Sequence, residues 1–97
     1  MRIISIKRMR EFWEKHRDAE QPIKAWYEEA KKASWKTPAE IKLQYRSASF
    51  LANNRVVFNI RGNKYRLVIA LKYDFQICYI RFMGTHSEYD KIDAAEI

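Results

Sequence analysis

The chain has 97 residues, 47% hydrophobic and 32% charged, with two Gly, two Pro and a formal charge of +7. A chain this short buries only about 60 to 65% of its unfolded surface, so one domain spanning residues 1–97 is expected and a second core is excluded. The longest apolar run, Leu67 to Leu71, falls far below the roughly 20 residues of a membrane span, and the Met1–Ile6 start lacks a signal peptide's apolar stretch. No membrane partner is therefore expected, and a cytoplasmic location is. Cys78 is the only cysteine, and His16 and His86 lie far apart in sequence. Neither an intramolecular disulfide nor a Cys/His zinc set can be assembled, and no metal or cofactor is implied.

Arg2 to Ser5 reads as a short first strand. From Lys7 to Arg17, Met9, Phe12, Trp13 and His16 fall at i, i+3, i+4, i+7, the period of an amphipathic helix. Pro22 suits the first position of a second helix, whose apolar face is Ile23, Trp26, Tyr27, Ala30 and Ala33. Trp13, Trp26 and Tyr27 read as core, and His16 as a core or interface histidine. Thr37-Pro-Ala-Glu40 offers an N-cap, a first-turn proline and a glutamate three residues after the cap, which predicts a third helix over Pro38 to Tyr45.

The next forty residues change period. Gly62-Asn63 lies between two β-rich runs and, taken as a two-residue hairpin loop, pairs Arg61 with Lys64, Ile60 with Tyr65, Asn59 with Arg66, Phe58 with Leu67 and Val57 with Val68. That register puts Val56, Phe58, Ile60, Tyr65, Leu67, Ile69 and Leu71 on one face. On the other it puts Arg55, Val57, Asn59, Arg61, Lys64, Arg66, Val68, Ala70 and Lys72. A second turn at Asp74-Phe75 adds Cys78, Ile80 and Phe82 to the apolar face, and Ile77, Tyr79, Arg81 and Met83 to the basic one. Cys78 then reads as a buried small hydrophobe.

The charge is segregated in the same way. Between Lys42 and Arg81 there are eight basic residues and one acidic, whereas the rest of the chain has eleven of each sign. A basic sheet face with interleaved aromatics suits a nucleic-acid strand, cations meeting phosphates and rings stacking on bases. Val68 and Ala70 on that face imply that it is partly covered or concave. Thr85-His-Ser-Glu88 fits a capping box, so a last helix begins at His86, with His86, Tyr89, Asp90 and Asp93 on one face. Metal-free RNA cleavage needs a base for the 2′-hydroxyl, an acid for the leaving 5′-oxygen and positive charge at phosphorus. His86 and Tyr89 fit the proton transfers, and Arg66, Arg81 and Lys72 fit the charge.

The run Arg55-Val-Val-Phe-Asn-Ile-Arg-Gly-Asn-Lys-Tyr-Arg-Leu-Val68, followed by Tyr79-Ile-Arg-Phe-Met-Gly-Thr-His-Ser-Glu-Tyr-Asp-Lys-Ile-Asp93, resembles the HigB toxins of type II toxin-antitoxin systems, within the RelE superfamily. Thr37-Pro-Ala-Glu-Ile-Lys and Tyr45-Arg-Ser-Ala-Ser-Phe-Leu51 extend the likeness over essentially the whole chain. The resemblance implies an α+β, RelE-like fold, two N-terminal helices on one face of a twisted, mainly antiparallel sheet, with a short C-terminal helix. It also implies a metal-independent endoribonuclease that cuts mRNA on translating ribosomes through the substrate's own 2′-hydroxyl. A cognate antitoxin, usually a HigA-like helix-turn-helix protein, would neutralise it. By position, Arg66, His86 and Tyr89 take the catalytic places, while Arg61, Lys64, Lys72, Tyr79 and Arg81 are the expected RNA contacts. The alternatives are a non-catalytic basic binding module and a RelE-fold toxin aimed at another target such as gyrase.

Overall fold

In the computed structural model, which describes residues 1–97, a short strand β1 (Arg2–Ile4) leads into the helices α1 (Lys7–Lys15), α2 (Glu20–Lys32) and α3 (Pro38–Gln44). Four strands follow, β2 (Ser49–Leu51), β3 (Arg55–Ile60), β4 (Tyr65–Lys72) and β5 (Ile77–Thr85), and then the one-turn helix α4 (His86–Tyr89). The sheet order is β1-β5-β4-β3-β2, an antiparallel meander of β2 to β5 with β1 laid parallel against β5. The α+β class, the mainly antiparallel sheet and the short last helix match the sequence reading.

Local chemistry sets the helix ends. Thr37 is extended and its hydroxyl accepts from the Glu40 amide at 3.4 Å, with Pro38 directly after it, so α3 starts where the capping pattern predicts. α1 stops at Lys15, two residues early, because His16 leaves helical geometry and a 3-10 turn, Arg17–Ala19, follows. That turn runs straight into α2 at Glu20, so Pro22 is its third residue rather than its first. The amide that proline lacks is still one of the first-turn donors without a helical partner, and the helix tolerates it there.

The β3–β4 register is the expected one from Ile60–Tyr65 through Val57–Val68. Arg61 and Lys64 do not form a ladder pair, however. Residues 61–64 make a four-residue turn, with Arg61 and Gly62 both at positive φ and the Lys64 amide bonded to the Arg61 carbonyl at 3.2 Å. The face turned to the helices buries Val56, Phe58, Ile60, Tyr65, Leu67, Ile69, Leu71, Cys78 and Ile80 together with Met9, Phe12, Ile23, Trp26, Trp35 and Ile41. Phe58 sits among three rings, its centroid 5.0 Å from Tyr45, 5.3 Å from Trp26 and 6.4 Å from Trp35.

One expectation fails at β5. Val68 pairs with Phe82 but Ile69 pairs with Ile80, so Arg81 is an extra residue, a β-bulge. Side-chain parity flips past it. Met83, expected on the basic face, packs against the main core, and Phe82, expected inside, joins a second apolar cluster on the outer face. That cluster is Val57, Val68 and Ala94, ringed by Leu51, Phe82, Tyr89, Ile92 and Ile97. The segment after α4 therefore lies over the middle of the outer face. It is held by Arg55 Nε on the Ile97 carbonyl oxygen and Asn53 Nδ2 on the Ala95 carbonyl oxygen, both at 2.9 Å. The outer face is apolar and covered at its centre, not a continuous basic surface.

Replacing Phe58 with Ala should cost about 3–5 kcal/mol, because three neighbouring rings cannot all collapse into the void. Phe75→Ala, at a side chain 73% exposed, should shift stability by less than about 0.5 kcal/mol. Urea unfolding midpoints of the two variants against wild type check both.

Candidate active site

The corner between β5 and α4 is built by short-range hydrogen bonds. The Thr85 hydroxyl accepts from the Glu88 amide at 3.2 Å, and Glu88 Oε1 accepts from the Thr85 amide at 2.8 Å, which closes the predicted capping box. The Thr85 amide also holds the Glu88 carboxyl below the ordinary carboxylate range. Gly84 makes this possible, since a Cβ there would stand 2.5 Å from Phe82 Cζ and 3.1 Å from Glu88 Oε1. The helix is one turn only, so Asp93 falls outside it, contrary to expectation. Its carboxylate instead accepts from the Ala95 amide at 3.3 Å.

Two of the expected catalytic residues meet directly. Arg66 is the register partner of Gly84, and its guanidinium lies over the Tyr89 ring, 5.9 Å from the centroid. Arg66 Nη1 also donates to the Asn63 carbonyl at 3.1 Å, which orients the head group. Tyr89 rests on Phe82, ring centroids 6.4 Å apart, so the bulge at Arg81 indirectly seats this tyrosine. His86 is one turn back on the same helix, its side chain 51% exposed, with Nδ1 3.2 Å from Asp90 Oδ2. Asp90 thus engages one imidazole nitrogen and leaves Nε2 for a ligand. Asp90 was legible as a face-mate of His86 by its i, i+4 spacing, but its orienting role was missed.

The expected RNA contacts scatter. Tyr79 and Arg81 stay together on the outer face, the guanidinium 5.5 Å from the ring centroid, upstream of the corner on β5. Lys72 pairs with Ile77 at the opposite end of the ladder from Thr85, which pairs with Tyr65. Seven residues of strand separate Lys72 from Tyr65, roughly 23 Å, so Lys72 is not part of the corner. Arg61 and Lys64 turn toward the helical layer, where Asp18 takes both, Arg61 Nε at 3.1 Å and Lys64 Nζ at 2.6 Å. The Tyr65 hydroxyl donates to the same carboxylate at 2.6 Å. Nothing in the sequence could flag Asp18, which lies 46 residues from Lys64.

Elsewhere the side chains have packing roles. His16 is half-buried, stacked on Phe12 at 4.3 Å and 5.4 Å from the Tyr65 ring centroid. Cys78 is buried and burial pushes its thiol up to about 12, so it is no nucleophile. No cluster of three or more His, Cys, Asp or Glu side chains could hold a metal ion, and no helix is long and apolar enough to cross a membrane.

A five-stranded mixed sheet with helices over its inner face defines an α+β protein of the architecture expected from the sequence. Residues 19–92 match the family described as HigB toxin, the RelE-like toxic component of a toxin-antitoxin system. The chain is also 30% identical over 92 residues to the mRNA interferase toxin HigB of Escherichia coli strain K12, and equally to the mRNA interferase HigB of Shigella flexneri. Each alignment covers 93% of this chain and 88% of the relative. The chain belongs to the HigB toxin family.

The Asp18 cluster has a pH signature. Lys64 and Tyr65 hydrogen bonds lower the Asp18 carboxyl from an ordinary 3.8 to about 2. A depressed folded-state pKa means its contribution is complete above the unfolded value and is lost as pH falls through the folded one. Stability should therefore decline between about pH 4 and pH 2, and Asp18→Asn should flatten that part of a thermal-unfolding profile measured against pH.

Proposed function

We propose that this chain is the mRNA-cleaving endoribonuclease of its toxin-antitoxin pair, working on messages held by translating ribosomes in the cytoplasm. The observation that carries this reading is the β5–α4 corner, where an imidazole and a phenol stand on one helical turn and the guanidinium of Arg66 reaches the phenol ring from the neighbouring strand β4. The 2′-oxygen of the message loses its proton and attacks the adjacent phosphorus. The P–O5′ bond then breaks, and the leaving 5′-oxygen takes up a proton, so cleavage leaves a 2′,3′-cyclic phosphate and a 5′-hydroxyl. His86 and Tyr89 carry the two proton transfers, and Arg66 balances the charge that builds on the phosphoryl oxygens. Neither step needs a metal or an organic cofactor.

Asp90 is the positioning partner. It fixes the imidazole through Nδ1. Tyr79 and Arg81 extend the site along the outer face as a stacking ring and a phosphate contact. Arg61 and Lys64 reach phosphate only by leaving Asp18. The exchange is feasible because ion pairs this exposed contribute little. The open corner has few walls to orient a flexible strand, which favours a message already positioned by the ribosome. A HigA-like helix-turn-helix protein is the fitting antitoxin.

His86→Ala and Arg66→Ala should each lower cleavage by at least about 100-fold with the fold intact. Mapping mRNA 5′ ends within minutes of induction decides it. New ends inside translated reading frames for wild type, absent for both variants, are expected. Growth arrest without new ends would overturn the nuclease reading, and equal small losses at every basic residue would point to a binding module.

Purified protein should cut naked RNA poorly and ribosome-bound message well. Ribosome affinity should fall steeply with added salt as phosphate contacts release counterions. Efficient cleavage of free RNA, or a salt-independent affinity, would contradict the ribosome-bound substrate.

A further inference from the structure

α1 and α2 leave a groove of about 390 Å³ open to solvent, lined by Ile6, Met9, Arg10, Trp13, Lys24, Tyr27 and Glu28. No residue of β5 or α4 reaches it. Its four apolar walls include two half-buried aromatic side chains, each with an ammonium group over its ring. Lys24 Nζ is 5.2 Å from the Trp13 centroid, and Lys31 Nζ is 5.7 Å from that of Tyr27. Two lining cations, Arg10 and Lys24, stand against one lining carboxylate, Glu28; beyond the lining, Lys31 lies over Tyr27 and Glu20 pairs with Lys24. Leu43 and Phe75, the most exposed large apolar side chains, line no comparable apolar cavity.

We propose that this groove is where the cognate antitoxin docks, through an amphipathic helix. Its apolar side chains would fill the space between Trp13 and Tyr27, and its acidic residues would meet Arg10, Lys24 and Lys31. The proposal rests on membership of a toxin-antitoxin family, which requires such a partner. A channel between two surface helices takes a third helix by ordinary side-chain interdigitation. The aromatic residues in its lining are of the types that dominate interface energetics. The charge around it selects the partner's sign. A second copy of this chain is disfavoured because a two-fold contact would set Arg10 and Lys24 against their own counterparts. Lys24 also pairs with Glu20 at 2.5 Å, an exposed contact that an acidic partner can replace at small cost.

The test is calorimetric titration of the toxin with its antitoxin, identified as the protein whose co-expression lifts growth arrest. Trp13→Ala should weaken binding at least about tenfold. The double variant Arg10→Glu with Lys24→Glu, both at exposed positions, should weaken it about tenfold at low salt and less at about 0.5 M salt. Both variants should cleave ribosome-bound message at the wild-type rate. Because the charge reversals leave the core untouched, they decide the matter even where Trp13→Ala unfolds. Unchanged affinity in the charge variant overturns the proposal, as does cleavage that falls in step with binding. A wild-type dimer in sedimentation that Trp13→Ala dissolves would assign the groove to a second copy instead. If no co-expressed protein binds the wild type, the toxin-antitoxin pairing itself fails, an outcome distinct from failure of the groove.

Discussion

Two hydrogen bonds between Thr85 and Glu88 decide where the strand stops and the helix begins, and the placement of His86 and Tyr89 depends on that junction. A four-residue helix has almost no intrinsic stability, because nucleation costs more than so few backbone bonds return. The reciprocal cap supplies partners for two first-turn donors, and Gly84 lets Phe82 and the Glu88 carboxylate close over the strand. With that junction set, His86 and Tyr89 stand three residues apart on one turn, and Arg66 arrives opposite Gly84 by strand register alone. The proposed reactive groups are thus positioned by backbone geometry rather than by long side-chain networks.

The bulge at Arg81 couples the two sides of the sheet. Upstream of it, Cys78 and Ile80 continue the inner core in step with Ile69 and Leu71. Downstream, the flipped parity sends Phe82 outward, where it meets Tyr89 and the segment containing Ile92, Ala94 and Ile97. Without the extra residue, Phe82 would point into the helical layer and Tyr89 would lose the ring it rests on. A local irregularity therefore builds the outer cluster that seats the tyrosine, in keeping with the placement of bulges beside functional sites.

Much of this was legible beforehand, for identifiable reasons. The 3.6-residue spacing of Met9, Phe12, Ile23 and Trp26 marked α1 and α2, and the capping patterns at Thr37 and Thr85 located two helix starts to the residue. The hairpin around Gly62 gave the β3–β4 register, since a slip by one would have buried Arg66 and exposed Leu67. What escaped depends on through-space contacts. A bulge leaves no mark on an alternating pattern until it is crossed, so Phe82 and Met83 were exchanged. Asp18 capturing Arg61 and Lys64 joins segments far apart in sequence; Val68 and Ala70 did imply a partial cover on the outer face, but that the segment around Ala94 supplies it is equally non-local. The outer face looked basic because its arginines were counted without their partners.

Those partners change what the charge can do. Of the eight basic residues in the strand-rich half, Arg55 is spent on the Ile97 carbonyl, Arg61 and Lys64 on Asp18, and Lys72 stands at the far end of the ladder. Lys42 donates to the Ala48 carbonyl at 2.7 Å, which leaves Arg46, Arg66 and Arg81, the last two each laid across a tyrosine. A guanidinium over a ring keeps its outward donors free and its plane fixed, so less side-chain entropy is lost when a phosphate arrives. The long-range field of the net charge favours approach of a polyanion, and in the proposed complex the two fixed arginines would give it a register. An RNA strand held at only two such points is still free to turn about its own backbone. On the proposed reading, the orientation needed for in-line attack would then come from whatever else grips the strand, as a ribosome holding the message would.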